Sequence, residues 1–352
     1  MIEEKRSLKL SRWMKKYYHV IIGVITICLI ILMIFFVDFI SLINKIYLIG
    51  LYGTIIFIIA YTITFILRAY KLKLIFIGLN RDVSFLTSYF SIGTAFAINE
   101  VIPAKVGDLA KIIFLKEHAD IKLSESLGGS ALERFLDLFI LFSISFFALI
   151  YIYVIKIGDN ETITLFGISL QFYLFLGTLL IIGILALLLL LVFKTEFVLK
   201  IVRKFSMKIA TLLENFIENF KKALKRLREH KKELVIVLFI GCLIWLLEAL
   251  IGVMFFYLLG FDLNIFILIL ALLFTYFSKA FPITPEGWGI SENLGAVFVL
   301  IFYPSIPYLD LLSIFIIEHL FRSAYIFFYG GYSIFRYNFN LKNIKQIKNE
   351  IG

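Results

Sequence analysis

Cysteine occurs twice in 352 residues, at Cys28 and Cys242, each inside an apolar run and neither in a CxxC pair. That excludes a disulfide framework and a cysteine zinc site. The four histidines, His19, His118, His230 and His319, are scattered, so no metal centre is expected, and no other cofactor is implied. Proline is scarce too: three of the five, Pro103, Pro282 and Pro285, fall at two places, and Pro304 and Pro307 share a loop. Charge is thin, at 17% of positions against about 25% in a soluble domain, while 61% are hydrophobic against about 45–50%. No water-soluble core can hide that much apolar surface. The net charge of +10 does not point to nucleic acid, because the basic residues lie in segments between apolar runs and not on a folded domain.

What is present is a series of apolar runs, and a helix crossing hydrocarbon needs about 20 such residues. Runs at Val20–Val37, Ile46–Leu67, Leu138–Ile155, Thr162–Phe193, Leu234–Phe261 and Leu311–Phe335 predict six full transmembrane helices. A basic stretch precedes the first run and no small-residue cleavage site follows it, so it is expected to be a retained anchor. Lys and Arg set the orientation. Of the 35, 30 fall in the N-terminal stretch, the connection holding Arg68, Lys71, Lys73 and Arg81, the lysines from Lys105 to Lys122, the segment from Lys194 to Glu233, and the tail. These segments are expected to be cytoplasmic, with both termini inside a multi-pass protein of the cell membrane. The first outer loop is then Asp38–Lys45.

The segment from Lys194 to Glu233 contains no Gly or Pro, and its apolar residues recur every three or four positions from Phe197 to Leu227. This predicts an amphipathic helix on the cytoplasmic face, an elbow between two membrane halves whose lysines can attract anionic headgroups. Residues 1–193 form the expected first half and 234–352 the second.

Two further apolar stretches, Val83–Ile98 and Leu263–Ser278, are too short to cross comfortably, and each runs into proline. Irregular backbone at membrane depth survives only where protein or a water-filled cavity surrounds it. Two re-entrant hairpins are therefore expected, near 83–108 and 263–303. Pro103 and Pro285 lie 182 residues apart, as do Gly107 and Gly289, and each hairpin precedes a charged cluster: Glu133, Arg134 and Asp137, then Glu318 and Arg322. The pattern suggests a duplicated unit, and three crossings between the hairpins would invert the second copy.

A charge at the bilayer centre costs at least about 2.5–3.5 kcal/mol, so each one is either functional or paired. Lys105, Lys111 and Arg134, clustered after a broken helix, together with Lys279 and Arg322, are candidate ligands for a phosphate. Glu133 and Asp137 share a helical face and can neutralise lysines of the first hairpin. Glu318 and Arg322 are four apart and can pair with each other. Glu286 and Glu292 oppose an anion in the glycine-rich stretch from Pro285 unless protonated or paired with Lys279. Glu248, alone in its run, is a proton-relay candidate or a helix-bundle hydrogen bond.

The hairpin motifs resemble the lysylphosphatidylglycerol synthase transmembrane-domain family, also called flippase-like. The matching positions are Asn99, Pro103, Gly107, Glu133, Arg134, Asp137, Pro285, Gly287, Gly289 and Glu292, and Pro282 and Thr284 belong to the second motif. Departures are Lys105 and Lys111 for arginine, Asp108 for glutamate, Glu286 for glycine and Trp288 for leucine. The resemblance implies lipid translocation, of an aminoacylated phospholipid or a polyprenyl-phosphate-linked sugar. Some members carry an added catalytic domain; with 17 residues after Phe335, none is expected here. No catalytic residue is assigned. The alternatives are a membrane-embedded transferase using a lipid-linked donor, and a subunit that positions a separate synthase or glycosyltransferase.

Overall fold

The computed structural model describes residues 39–158 except 104, 194–279 except 206, and 284–340, with a few positions between 164 and 186. The expected first crossing, most of the fourth, Pro282 and the end of the tail lie outside the described residues. Within them the chain is helical apart from a two-residue ladder, β1 (Thr164–Leu165) with β2 (Ile168–Ser169).

The other four expected crossings coincide with helices long and apolar enough to cross a membrane. These are α1 (Phe39–Gly78), α4 (Leu123–Gly158), α7 (Lys231–Leu258) and α10 (Tyr308–Arg336). All begin or end beyond the apolar runs that signal them. In α1 this corrects two expectations. Residues 39–45, expected as a loop, are helical, and the break comes at Gly50, whose φ of 61° costs a residue without Cβ little. At the other end α1 continues past Leu67, so Arg68 and Lys71, expected in a cytoplasmic connection, are buried inside the protein.

Two pairs of short helices lie between the long ones. After α1 come α2 (Phe85–Val101) and α3 (Val106–Ala119); after α7 come α8 (Ile265–Ser278) and α9 (Ser291–Phe302). Ser84 caps α2, its Oγ accepting from the Thr87 N–H at 3.0 Å, and Asn264 accepts from the Phe266 N–H at 2.9 Å before α8. Pro103 lies just past the end of α2, and the preceding residue, Ile102, is extended, as expected before proline. A 3-10 turn, Pro285–Gly287, stands between α8 and α9.

The packing follows a matched pattern. Consecutive helices touch within α1–α4 and within α7–α10, and α1 lies along α7. The last helix of each set crosses to the other: α10 packs on α2, and α4 packs on α8. Gly330 permits the first crossing, since a Cβ there would overlap the Gly93 carbonyl. A row of aromatics one turn apart on α1, Phe57, Tyr61 and Phe65, meets Phe255, Phe321 and Tyr325 in tilted, edge-on or stacked pairs at 5.0–5.7 Å.

Polarity runs opposite to that of a soluble protein. Lys71 is 0% exposed while Leu51 is 77% and Tyr52 74% exposed on the same helix. Such an exterior suits hydrocarbon and not water.

The amphipathic segment is two helices, α5 (Thr195–Phe205) and α6 (Met207–Glu229). The apolar face of α6 is turned onto the protein. Phe220 meets Phe135 at 5.1 Å, Leu227 covers Gly78, and Lys221, Lys222 and Lys225 stay exposed.

Candidate functional site

The two breaks abut. Lys105, before α3, and Glu286, in the 3-10 turn, both adopt left-handed backbone, with φ of 54° and 42°. Lys105 Nζ donates to Glu286 Oε1 at 2.7 Å. A non-glycine residue in that region is strained by about 1–2 kcal/mol, and such strain gathers at functional sites. Glu286 also stands where the resembled motif has glycine, the residue that tolerates this conformation freely. Asn99 fastens the first break, its Oδ1 accepting from the Gly107 N–H at 2.7 Å, and a Cβ on Gly107 would overlap the Ala95 carbonyl. At the second break Gly287 and Gly289 have φ of 82° and 84°, and the Gly289 N–H donates to Glu292 Oε2 at 2.8 Å. Thr284 is buried beside this break, its hydroxyl without a partner among the described residues.

Behind the breaks lies a cavity of about 90 Å³, reached by residues of α1, α2, α7, α8, α9 and α10. It holds water-sized groups, and charged side chains reach into it although most of its lining surface is apolar. Arg68, Lys279 and Arg322 line it with Glu100, Glu248, Glu286, Glu292, Glu318 and His319, and the apolar share comes from Tyr61, Phe96, Trp245 and Phe315.

Most charges here are already paired. Glu248 joins three helices: its Oε1 accepts from Arg68 at 3.0 Å and its Oε2 from Arg322. Arg322 also reaches Glu318 at 2.7 Å, so the expected pairing four residues apart exists and is extended to α7. Arg68 lies over the Phe96 and Trp245 rings at 5.6 and 5.8 Å, and Arg322 over Tyr61 at 5.2 Å.

The expected phosphate ligands are not one cluster. Lys111 is buried against Glu133, away from the cavity. Arg134 binds Asp108 at 2.5 Å and the Tyr276 hydroxyl at 3.2 Å, so it meets the cavity only through Tyr276. Lys105 is held by Glu286, and Arg322 by two carboxylates. Lys279 alone of the five lines the cavity with no ion-pair partner among the described residues. Glu133 takes a hairpin lysine, Lys111, as expected, but two other acids find different partners. Asp137 takes Lys71 of α1 and not a hairpin lysine, and Glu292 takes His319 and not Lys279.

Three further cavity residues carry polar chemistry that sequence reasoning missed. Glu100 of α2 is buried, its Oε2 accepting from the Ser323 hydroxyl at 2.8 Å. His319 is fixed by Glu292 at Nδ1 and stacked on Trp288 at 3.9 Å, and its Nε2 is buried without a partner among the described residues. Arg68 completes the set. The signal for His319 is its place one residue after Glu318, on a helix already flagged by Glu318 and Arg322.

A polytopic helical membrane protein whose helices enclose a charged cavity where two helix breaks meet is the class these features define. Across residues 20–330 the chain matches the family described as the lysylphosphatidylglycerol synthase TM region, and it belongs to that family. No curated protein and no solved structure matches it.

Proposed function

We propose that the protein moves a phosphate-bearing lipid across the bilayer, with the headgroup passing through the cavity at the two breaks while the tails stay in lipid. The observation that carries this is a cavity with charged side chains in its lining, enclosed by helices whose outer faces are apolar. A headgroup needs polar surroundings at membrane depth and the acyl chains need none. The mixed-charge lining suits a headgroup that joins phosphate to an amine or a sugar, as in an aminoacylated phospholipid or a polyprenyl-phosphate-linked sugar. The family name, with its lipid synthase, supports a role in lipid modification or transport.

In this reading six crossings frame two re-entrant hairpins, and residues 1–193 and 234–352 are inverted copies joined by the segment 194–233. The matched helix order, the reciprocal packing of α10 on α2 and α4 on α8, and the Lys105–Glu286 contact support it. Both termini are then cytoplasmic. Lys45 pairs with Asp310 at 2.7 Å, while Glu125 meets Arg81 at 2.8 Å and Arg226 at 3.6 Å, which fits one outer and one inner face.

The test is transport in proteoliposomes carrying fluorescent phosphatidylglycerol in one leaflet. Wild-type protein is expected to speed exchange, and Lys279→Ala to slow it. Exchange no faster than in protein-free vesicles refutes the proposal. A transferase acting on a lipid-linked donor is the second reading, favoured by the Glu292–His319 pair, since a carboxylate-oriented imidazole is a general base. Product formed from such a donor without leaflet exchange would select it.

A further inference from the structure

We infer that His319 is a proton-linked ligand for the phosphate: as a phosphodiester enters the cavity beside Lys279, the Nε2 of His319 takes up a proton, keeps it, and donates a hydrogen bond to a phosphate oxygen. This rests on the reading that the cavity receives a headgroup, and it changes which residues hold it.

The geometry leaves few groups able to do this. With the Glu292 carboxylate at Nδ1, that nitrogen carries its proton in both charge states, so Nε2 is the one that gains or loses a proton. Trp288 covers one face of the ring, and Nε2, like the Nε of Arg68, is a buried polar atom of a cavity-lining residue with no partner among the described residues. A buried polar atom without a partner is unfavourable until a ligand or water meets it.

Charge argues the same way. The groups lining the cavity with His319 are Glu292 from α9, Glu286 from the 3-10 turn, Glu100 from α2, Tyr276 of α8 and Lys279 after it, Tyr61 and Arg68 from α1 and Glu248 from α7, with Glu318 and Arg322 on its own helix; Glu248 engages Arg68 and Arg322. Glu318 is engaged by Arg322 and Glu286 by Lys105, while Glu100 has only a hydroxyl. Lys279 is therefore the available cation, and one ammonium beside Glu100 is a poor seat for an anion. An imidazolium supplies the second positive charge and a donor at the required place. When the lipid leaves, the proton returns to water, so movement of the anion and of the proton are linked.

The measurement is isothermal titration calorimetry of the purified full chain with dihexanoyl phosphatidylglycerol. Its phosphodiester does not titrate near neutrality, so proton uptake reports on the protein. Repeating the titration in buffers of different ionisation enthalpy, at several pH values, should give net proton uptake as the lipid binds. His319→Gln should abolish the uptake and weaken binding, and Lys279→Met should weaken binding about tenfold or more while uptake per bound lipid persists. Should His319→Gln fail to fold, Glu292→Gln keeps the imidazole but removes its orienting partner, and the pH profile of uptake should change. An unmoved profile counts against the assignment. Undiminished uptake in His319→Gln overturns it, and loss of uptake in Glu100→Gln alone assigns the proton to Glu100 instead. Glycerophosphoglycerol, the same headgroup without tails, separates the two claims. If it binds as tightly as the lipid and with the same uptake, the phosphate site stands and the lipid-transport reading fails.

Discussion

Replacing Glu248 by Gln keeps the shape of the side chain and removes one charge from the middle of a three-helix junction. In the native protein Glu248 serves Arg68 at 3.0 Å through one oxygen and Arg322 through the other, and its side chain is 5% exposed. In the variant Arg322 keeps Glu318 at 2.7 Å, but Arg68, itself 7% exposed, loses its counter-ion. Stranding one member of a buried pair costs about 3–5 kcal/mol. With about 2.1 cal/mol/K of unfolding entropy per residue over 352 residues, that is a fall in melting temperature of roughly 4–7 °C. Thermal unfolding of the detergent-purified protein, followed by intrinsic fluorescence, measures it. The decisive variant is the double one, Glu248→Gln with Arg68→Met, in which no buried charge lacks a partner and most of the lost stability should return. If the double variant instead falls by the sum of the two single losses, charge balance is not what Glu248 provides.

Gly107→Ala should destabilise by about 1–3 kcal/mol or more, because a Cβ there runs into the Ala95 carbonyl and Asn99, whereas Gly331→Ala, with open space around it, should be neutral or slightly stabilising; the same melts check both. Lys105→Glu and Glu286→Lys should each slow lipid exchange between leaflets, and the two together should restore much of it, since the tips of the breaks meet through this pair; a double variant as slow as either single one would show that the contact is incidental. In a version lacking Cys28 and Cys242, Ser305→Cys should react with an impermeant thiol reagent from outside the cell and Ser124→Cys only after permeabilisation; the reverse pattern would overturn the assigned orientation.

The described helices could be read in the sequence because apolar runs and proline are local signals. Four of the six expected crossings carry helices, and both short stretches that run into proline, Val83–Ile98 and Leu263–Ser278, are short helices followed by breaks. What the runs hid was extent. α1 outlasts its apolar run by more than two turns, because Arg68 and Lys71 are sheltered by Glu248 and Asp137 and need no water. A hydropathy pattern sees the cation and ends the span; the helix continues because its partners lie 180 and 66 residues away. Gly50 was invisible for a related reason: glycine is common in membrane helices, and only the observed φ marks this one as a kink.

At the site, the sequence pointed to segments that meet at the two breaks, while the partners of the charged residues it named were not legible. It grouped Lys105, Lys111 and Arg134 by sign and nearness to a break, which is what a phosphate site would show. In the folded chain each of the three faces a carboxylate, two of them from a neighbouring helix of the same half and one, Glu286, from the opposite break. Pairing of this kind is set by how helices cross and leaves no periodic trace. Among the described residues, what the pairs leave over is Lys279 with no ion-pair partner, Glu100 with a hydroxyl in place of a cation, and the Nε of Arg68 and Nε2 of His319 with no partner. Those groups line a cavity between two strained breaks, so an incoming ion can satisfy them without breaking a salt bridge that holds the helices together.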